Sequence, residues 1–101
     1  MSVLIALTVP GDTDVFAKAL VDRADDFVRI SEGARQKGAI HHRFGLGEGT
    51  VLVIDEWESL DQFHAFFADP ELQAFIGEVG GDTSAEPHLS FAEAVSSADE
   101  F

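Results

Sequence analysis

The sequence of 101 residues contains no cysteine. Thiolate catalysis, disulfide bonds and cysteine-ligated zinc or iron–sulfur sites are therefore excluded. Basic residues are also scarce, with 6 Lys and Arg against 19 Asp and Glu, which gives a formal net charge of -13. Such a surface repels phosphate groups, so nucleic acids and anionic membranes are poor candidate partners.

A long hydrophobic run is missing as well. The longest apolar stretch near the start is Val3–Val9, which is too short to span a membrane and has no basic residues before it. The sequence is therefore typical of a soluble cytoplasmic protein. Its length suits one domain. We expect this domain to cover residues 1–95, and the polar and acidic residues 96–101 to form a loose C-terminal tail.

In the first half of the chain, the pattern of apolar residues predicts a strand followed by a helix. Aliphatic and β-branched residues predict a strand over Ser2–Val9, which the dipeptide Pro10-Gly11 ends. Asp12 or Thr13 can then cap a helix. One unbroken helix is predicted up to the segment Gly33–Gly38, with an apolar stripe at helical spacing that comprises Phe16, Ala19, Leu20, Ala24, Phe27 and Ile30.

The second half predicts a hairpin, two helices and a last strand. Ser59 and Gln62 fit a capping box at the start of the first of these helices. Glycines between the two hairpin strands permit the positive φ values of a tight turn. The predicted elements are strands Ala39–Leu46 and Thr50–Glu58, a helix capped by Ser59, a helix started by Asp69-Pro70, and strand Glu86–Val95.

This order of elements predicts an α+β fold. The predicted order is strand, helix, strand, strand, helix pair and strand. This is the ferredoxin-like split βαβ arrangement, in which helices cover one face of an antiparallel sheet. The first and third strands carry apolar residues on both faces, so the uncovered face also needs burial. Because the chain is short, we predict a homodimer that buries this second face.

One segment of the chain resembles a known family. An apolar third strand runs into Trp57, a small polar cap at Ser59, a helix carrying His64 and the break at Asp69-Pro70, and Gly38–His42 forms a glycine-led second strand. Together these features resemble the antibiotic biosynthesis monooxygenase family of dimeric α/β barrels. The resemblance implies a cofactor-independent monooxygenase that oxidises a small aromatic, hydroquinone or polyketide-like substrate with O2.

His64 is the first candidate catalytic residue. It shares an apolar helical stripe with Leu60, Phe63 and Phe67, and is expected to point towards the sheet. Imidazole exchanges protons near neutral pH, so His64 would serve as a general base or a hydrogen-bond donor to the substrate. The alternative is a buried structural histidine with paired nitrogens. Phe66 lies off this stripe and is a candidate for the dimer contact.

A second histidine is expected beside the pocket. His41 and His42 are neighbours in a strand, so their side chains point to opposite faces. If the turn centres on Gly47-Glu48, His42 lies opposite Val53, on the face that carries Asp55. A slip of one residue would place His41 there instead, and the sequence leaves both open.

Asp55 and Trp57 lie two residues apart and therefore share a face of the third strand. Beside apolar neighbours, Asp55 would be desolvated and could orient an imidazole, unless the strand has already left the sheet there. Asp55 and His42 are thus predicted to assist His64. Trp57 either packs in the core or lines the pocket. The expected pocket wall, between the sheet and the helices, consists of Trp57, Phe44, Phe63 and Phe67.

Bound cofactors find little support in the sequence. Four histidines without an i, i+4 or His-x-His pair form no predicted metal cluster. The glycines of the hairpin lie between two strands, so they do not form a dinucleotide-binding turn. Haem bound by His64 is one alternative, although haem-degrading relatives place this histidine farther beyond the tryptophan. The alternative from another class is a non-catalytic dimeric module that binds a small apolar ligand.

Overall fold

The computed structural model describes all 101 residues and contains four strands and four helices. In chain order they are β1 (Val3–Pro10), α1 (Thr13–Asp22), α2 (Ala24–Gln36), β2 (Ala39–Leu46), β3 (Thr50–Trp57), α3 (Leu60–Phe67), α4 (Pro70–Glu78) and β4 (His88–Glu93). The last strand is shorter than predicted, and no helix or strand follows Glu93. The expectation of a loose tail over residues 96–101 stays a prediction.

The four strands form one antiparallel sheet in the order β2-β3-β1-β4. This is the ferredoxin-like split βαβ topology, so the predicted α+β fold is confirmed. Strands β3 and β1 are central, and β2 and β4 are the edges. None of the helices is long and apolar enough to cross a membrane. The expected cytoplasmic location stays a prediction.

The single long helix predicted for the first half is wrong. Asp12 does cap α1, since its side chain accepts hydrogen bonds from the backbone N–H groups of Asp14 and Val15. The helix then breaks at Arg23, whose backbone leaves the helical region. The Arg23 side chain binds Asp26 at 3.0 Å and Glu78 of α4 at 3.0 Å. The helix therefore breaks at a residue with contacts to α2 and α4, although no glycine or proline in the sequence marks this position.

The β2–β3 hairpin differs from the predicted register by two residues. Phe44, not His42, lies opposite Val53, and His42 lies opposite Asp55. The turn centres one residue later than expected because Gly49 takes the positive φ of 68°. Because side chains alternate along a strand, a shift of two residues in the pairing of β2 with β3 leaves every side chain on the same face of the sheet. The predicted face of His42 is therefore correct although its partner is not.

A β-bulge interrupts β2 near its start. Ala39 pairs with Trp57 and His41 pairs with Glu56, which leaves Ile40 as an extra residue. Ile40 is 44% exposed and borders the pocket between the sheet and the helices. The bulge places Ala39 on the inner face, as the cross-strand partner of the buried Trp57.

The core lies between the sheet and the helices in two clusters. One contains Val3, Ile5, Leu7, Trp57 and Phe63; the other contains Phe16, Ala19, Val51, Phe75 and Val79. Helix α2 contributes no buried residue to either cluster. The helix layer is therefore incompletely packed on the sheet, and this leaves room for a pocket.

The opposite face of the sheet is open to solvent and partly apolar. Leu4 and Ile54 project from the two central strands on this face, and each is 47% exposed. Ala6 and Leu52 lie on the same face and are half-buried. The predicted second apolar face is thus present in the single chain. The homodimer that would cover it stays a proposal.

Candidate functional site

A pocket of about 590 Å³ lies between the sheet and the helices. Small-molecule sites in proteins commonly have volumes of about 300 to 1,000 Å³. Of its 27 lining residues, 20 are hydrophobic, and they come from β1, β2, β3 and all four helices. The predicted location of the pocket is therefore confirmed. Its composition suits a ligand with a large apolar surface.

One end of the pocket is built from four phenylalanines that meet edge to face. The ring centroids of Phe16 and Phe44 are 5.0 Å apart, and those of Phe27 and Phe75 are 5.1 Å apart. Phe16 and Phe27 come from the first predicted helix, where the sequence assigned them only to an apolar stripe. Such a stripe indicates which side of a helix faces the sheet, but not whether a cavity lies there.

The other end is formed by Trp57 and the phenylalanines of α3. Trp57 is 1% exposed, and its ring centroid lies 5.8 Å from that of Phe63 and 5.4 Å from that of Phe66. Phe67 lines the pocket beside them. The four predicted wall residues, Trp57, Phe44, Phe63 and Phe67, all line it. Phe66 also does so, which corrects its expected place at a dimer contact.

The polar centre of the site is a chain of three side chains. Asp55 is 8% exposed and is the only buried polar residue of the chain. His42 Nδ1 lies 2.7 Å from Asp55 Oδ1, and Trp57 Nε1 donates to Asp55 Oδ2 at 3.0 Å. Both carboxylate oxygens are thus satisfied. This environment settles the open choice for Asp55: the carboxylate lies inside the fold, not in water.

Strand geometry brings these three residues together. Asp55 and Trp57 alternate onto the inner face of β3, and His42 is the cross-strand partner of Asp55. Phe44, the next inner residue of β2, packs edge-on against the His42 ring with centroids 4.5 Å apart. The imidazole is therefore fixed by a hydrogen bond on one side and an aromatic ring on another.

The His42–Asp55 hydrogen bond fixes the proton of the imidazole. An ionised carboxylate only accepts hydrogen bonds, so Nδ1 carries the hydrogen and donates it to Asp55. His42 Nε2 is then the nitrogen with a free lone pair, and it makes no hydrogen bond within the chain. The His42 side chain is 37% exposed and lines the pocket. This arrangement can accept a proton from a bound ligand.

His64 does not lie where the sequence predicts. Its side chain is exposed and does not line the pocket, whereas its neighbour Phe63 is buried. The sheet-facing side of α3 is centred on Phe63, Phe66 and Phe67, so His64 is turned towards solvent. The expected general base is therefore misplaced. Haem held by His64 inside this pocket does not fit either.

The other candidate polar residues lie outside this centre. His41 pairs with Glu56 on the outer face of the sheet. Both neighbouring histidines are among the pocket-lining residues, but only His42 contacts Asp55. No group of three or more His, Cys, Asp or Glu side chains is placed to hold a metal ion. Arg35 of α2 is among the lining residues that no signal in the sequence marked.

Solved structures share this fold, whereas no family model and no curated protein sequence matches the chain. SnoaB, a cofactor-independent oxygenase from Streptomyces nogalater, is 13% identical, with a TM-score of 0.62 and 98% of each chain covered. The ActVA-Orf6 monooxygenase from Streptomyces coelicolor, in complex with Nanaomycin D, is 22% identical, with a TM-score of 0.66 and coverage of 99% of this chain and 93% of the other.

A structure described as an antibiotic biosynthesis monooxygenase is 14% identical, with a TM-score of 0.60 and coverage of 95% of this chain and all of the other (100%). At these identities the likeness shows a shared fold. The resemblance to the antibiotic biosynthesis monooxygenase family that the sequence indicated is confirmed at that level.

Proposed function

We propose that the protein is a cofactor-independent monooxygenase that oxidises a small electron-rich aromatic compound with O2. Phenols, hydroquinones and polyketide-like rings are the proposed substrates. One observation carries the proposal: a proton-accepting nitrogen, His42 Nε2, borders a mainly apolar pocket, and its ring is fixed by the buried Asp55. The shared fold with SnoaB, a cofactor-independent oxygenase, supports it.

The proposed reaction begins with a proton transfer. His42 Nε2 takes the proton of a substrate hydroxyl, and Asp55 stabilises the resulting imidazolium through the Nδ1–H hydrogen bond. The phenolate that forms is a much better electron donor to O2 than the phenol. The surrounding phenylalanines would reduce the hydration of the anion when a ring fills the pocket. Asp55 is a positioning residue in this scheme, because it acts through His42.

The overall reaction balances without a cofactor. One oxygen atom of O2 becomes a carbonyl oxygen on the ring, and the other leaves as water. The two hydrogens of that water come from the substrate, one from its hydroxyl and one from the carbon that is oxygenated. Electrons from the substrate therefore reduce O2 completely. The protein has to supply a base, a dry pocket and a fixed position for the ring.

We further propose that two copies associate through the open face of the sheet. Leu4, Ala6, Leu52 and Ile54 form a contiguous apolar patch on the two central strands. Exposed patches of this kind on a soluble protein favour association, and a two-fold dimer is the commonest closed form. The pocket lies on the other side of the sheet, so each copy keeps its own His42 and Asp55.

Oxygen uptake with a panel of hydroquinones and naphthols tests the proposed function. The informative pair of variants is His42→Ala and His64→Ala, which remove the same side chain inside and outside the pocket. We expect uptake to fall at least about 100-fold in His42→Ala and to stay near the wild-type rate in His64→Ala. Equal rates in both variants, with the fold intact, would rule out His42 as the base.

A non-catalytic ligand-binding module is the second candidate. The predominance of apolar residues in the pocket favours it, because such a lining binds aromatic compounds whether or not chemistry follows. Calorimetric binding of a naphthol without any oxygen uptake by the wild-type protein would select this alternative.

A further inference from the structure

The pocket lacks the acidic excess of the rest of the protein. The chain carries 19 acidic residues, yet its pocket is lined by a single carboxylate, Asp55. Two of the six Lys and Arg residues, Arg35 and Arg43, also lie in the lining. Both oxygens of Asp55 are already bound by His42 and Trp57. The charged side chains of the lining that have no partner inside the pocket are therefore the two arginines.

Arg35 is the arginine on the ligand side. It follows Val28 and Ser31 of α2 by seven and four residues, so the three lie along one side of the helix, and all three line the pocket. The three are partly or fully exposed and thus border its opening. Arg43, by contrast, pairs with Ile54 and projects from the outer face of the sheet.

The Arg35 side chain is available to a ligand. Its only ionic partner is Glu32, one turn earlier in α2, at 3.3 Å, and both side chains are exposed. Exposed pairs of this kind contribute little to stability. A ligand carboxylate at the opening can therefore replace Glu32 at small cost.

We infer that the ligand of this pocket is an aromatic acid. Its ring system lies among the phenylalanines, and its carboxylate lies at the opening, where it pairs with Arg35. The inference rests on the proposed function only in using the same pocket. A neutral phenol has no charge with which to form an ion pair with Arg35, and the other acidic residues of the chain repel an anion elsewhere on the surface.

Isothermal titration calorimetry with two probes of equal shape tests this inference. 2-Naphthoate carries the negative charge, and 2-naphthamide is its neutral counterpart. We expect the wild-type protein to bind the naphthoate about fivefold more tightly than the amide, as for an exposed ion pair of about 1 kcal/mol. In Arg35→Gln this preference should disappear, with the affinity for the amide unchanged.

Arg29→Gln is the matched control, because it removes the same charge from the same helix. Arg29 pairs with Asp26 and does not line the pocket, so the preference should remain. Glu32→Gln removes the competing carboxylate and should increase the preference. Equal affinities of the wild-type protein for both probes, an unchanged preference in Arg35→Gln, or no binding of either probe would overturn the inference.

These measurements need no turnover, so they separate the inference from the proposed function. A charge preference that depends on Arg35, without oxygen uptake, would support the inference and contradict the monooxygenase. Oxygen uptake without any charge preference would support the monooxygenase and contradict the inference.

Discussion

His42 Nδ1 and Asp55 Oδ1 lie 2.7 Å apart, although the two residues are 13 positions apart in the chain. The hairpin makes them cross-strand partners on the face of the sheet that the helices cover. This pair gives an apolar pocket its one oriented proton acceptor. The proposed chemistry depends on it.

Replacing Asp55 by Asn should reverse the orientation of the imidazole proton. The Asn amide can donate to His42 Nδ1, which would leave the hydrogen on Nε2 and remove the lone pair that faces the substrate. We expect the rate of oxygen uptake with a hydroquinone to fall about 100-fold or more. Circular dichroism should show an unchanged fold. A rate within about twofold of wild type would contradict the positioning role of Asp55.

Trp57 should contribute strongly to stability. Its ring is almost fully buried against Phe63 and Phe66, and its N–H is the partner of Asp55. Trp57→Ala should lower the free energy of unfolding in urea by about 3 to 5 kcal/mol. Phe101→Ala, which removes an aromatic ring from a fully exposed position, is the control and should change it by less than about 0.5 kcal/mol. A loss below 1 kcal/mol for Trp57→Ala would show that the ring is not packed as described.

Stability in acid should reveal the Arg23 contacts. The Arg23 guanidinium holds the pKa of Asp26 below its usual 3.8 by a hydrogen bond, aided by charge attraction. A carboxyl whose pKa is lowered by folding stabilises the fold above its unfolded pKa, and this contribution is lost as the pH falls through the folded value. The difference in urea midpoint between wild type and Arg23→Gln should therefore shrink between pH 5 and about pH 2.

Lys18→Gln is the control for this titration, because Lys18 forms an exposed pair with Asp22 within α1. Its urea midpoint should stay close to that of the wild type at both pH values. A wild-type to Arg23→Gln difference that is the same at both pH values would show that Asp26 does not stabilise the fold through Arg23.

The open sheet face should mediate association. Sedimentation equilibrium of the wild-type chain, whose mass is 10.9 kDa, should give a dimer of twice that mass. Ile54→Asp places a charge in the middle of the apolar patch and should give the monomer. Val21→Asp makes the same kind of change at an exposed position of α1, and the dimer should remain. A stable wild-type monomer would contradict the proposed dimer.

The sheet and its faces were predictable from the sequence, because side chains alternate strictly along a strand. That alternation places Asp55 and Trp57 together, and it keeps His42 on their face although the predicted turn is one residue too early. The exact register depends on whether Gly47 or Gly49 takes the positive φ. Composition alone does not distinguish these two glycines.

The helices were harder to orient. An apolar stripe fixes the inward direction of a short helix only to within about one residue, since neighbours differ by about 100°. In α3 this uncertainty led to a wrong choice: the predicted inward side included His64, which is exposed, and left out Phe66, which lines the pocket. The break at Arg23 was not predictable either, because its partner Glu78 lies 55 positions later in the chain.

Product analysis after incubation with isotopically labelled dioxygen tests the central claim most directly. With a naphthol substrate, mass spectrometry should find one labelled oxygen atom in the quinone formed by the wild-type protein and by His64→Ala, and no such product with His42→Ala. A quinone whose new oxygen comes from water, or labelled product in equal amounts from His42→Ala, would contradict a monooxygenase that uses the His42–Asp55 pair.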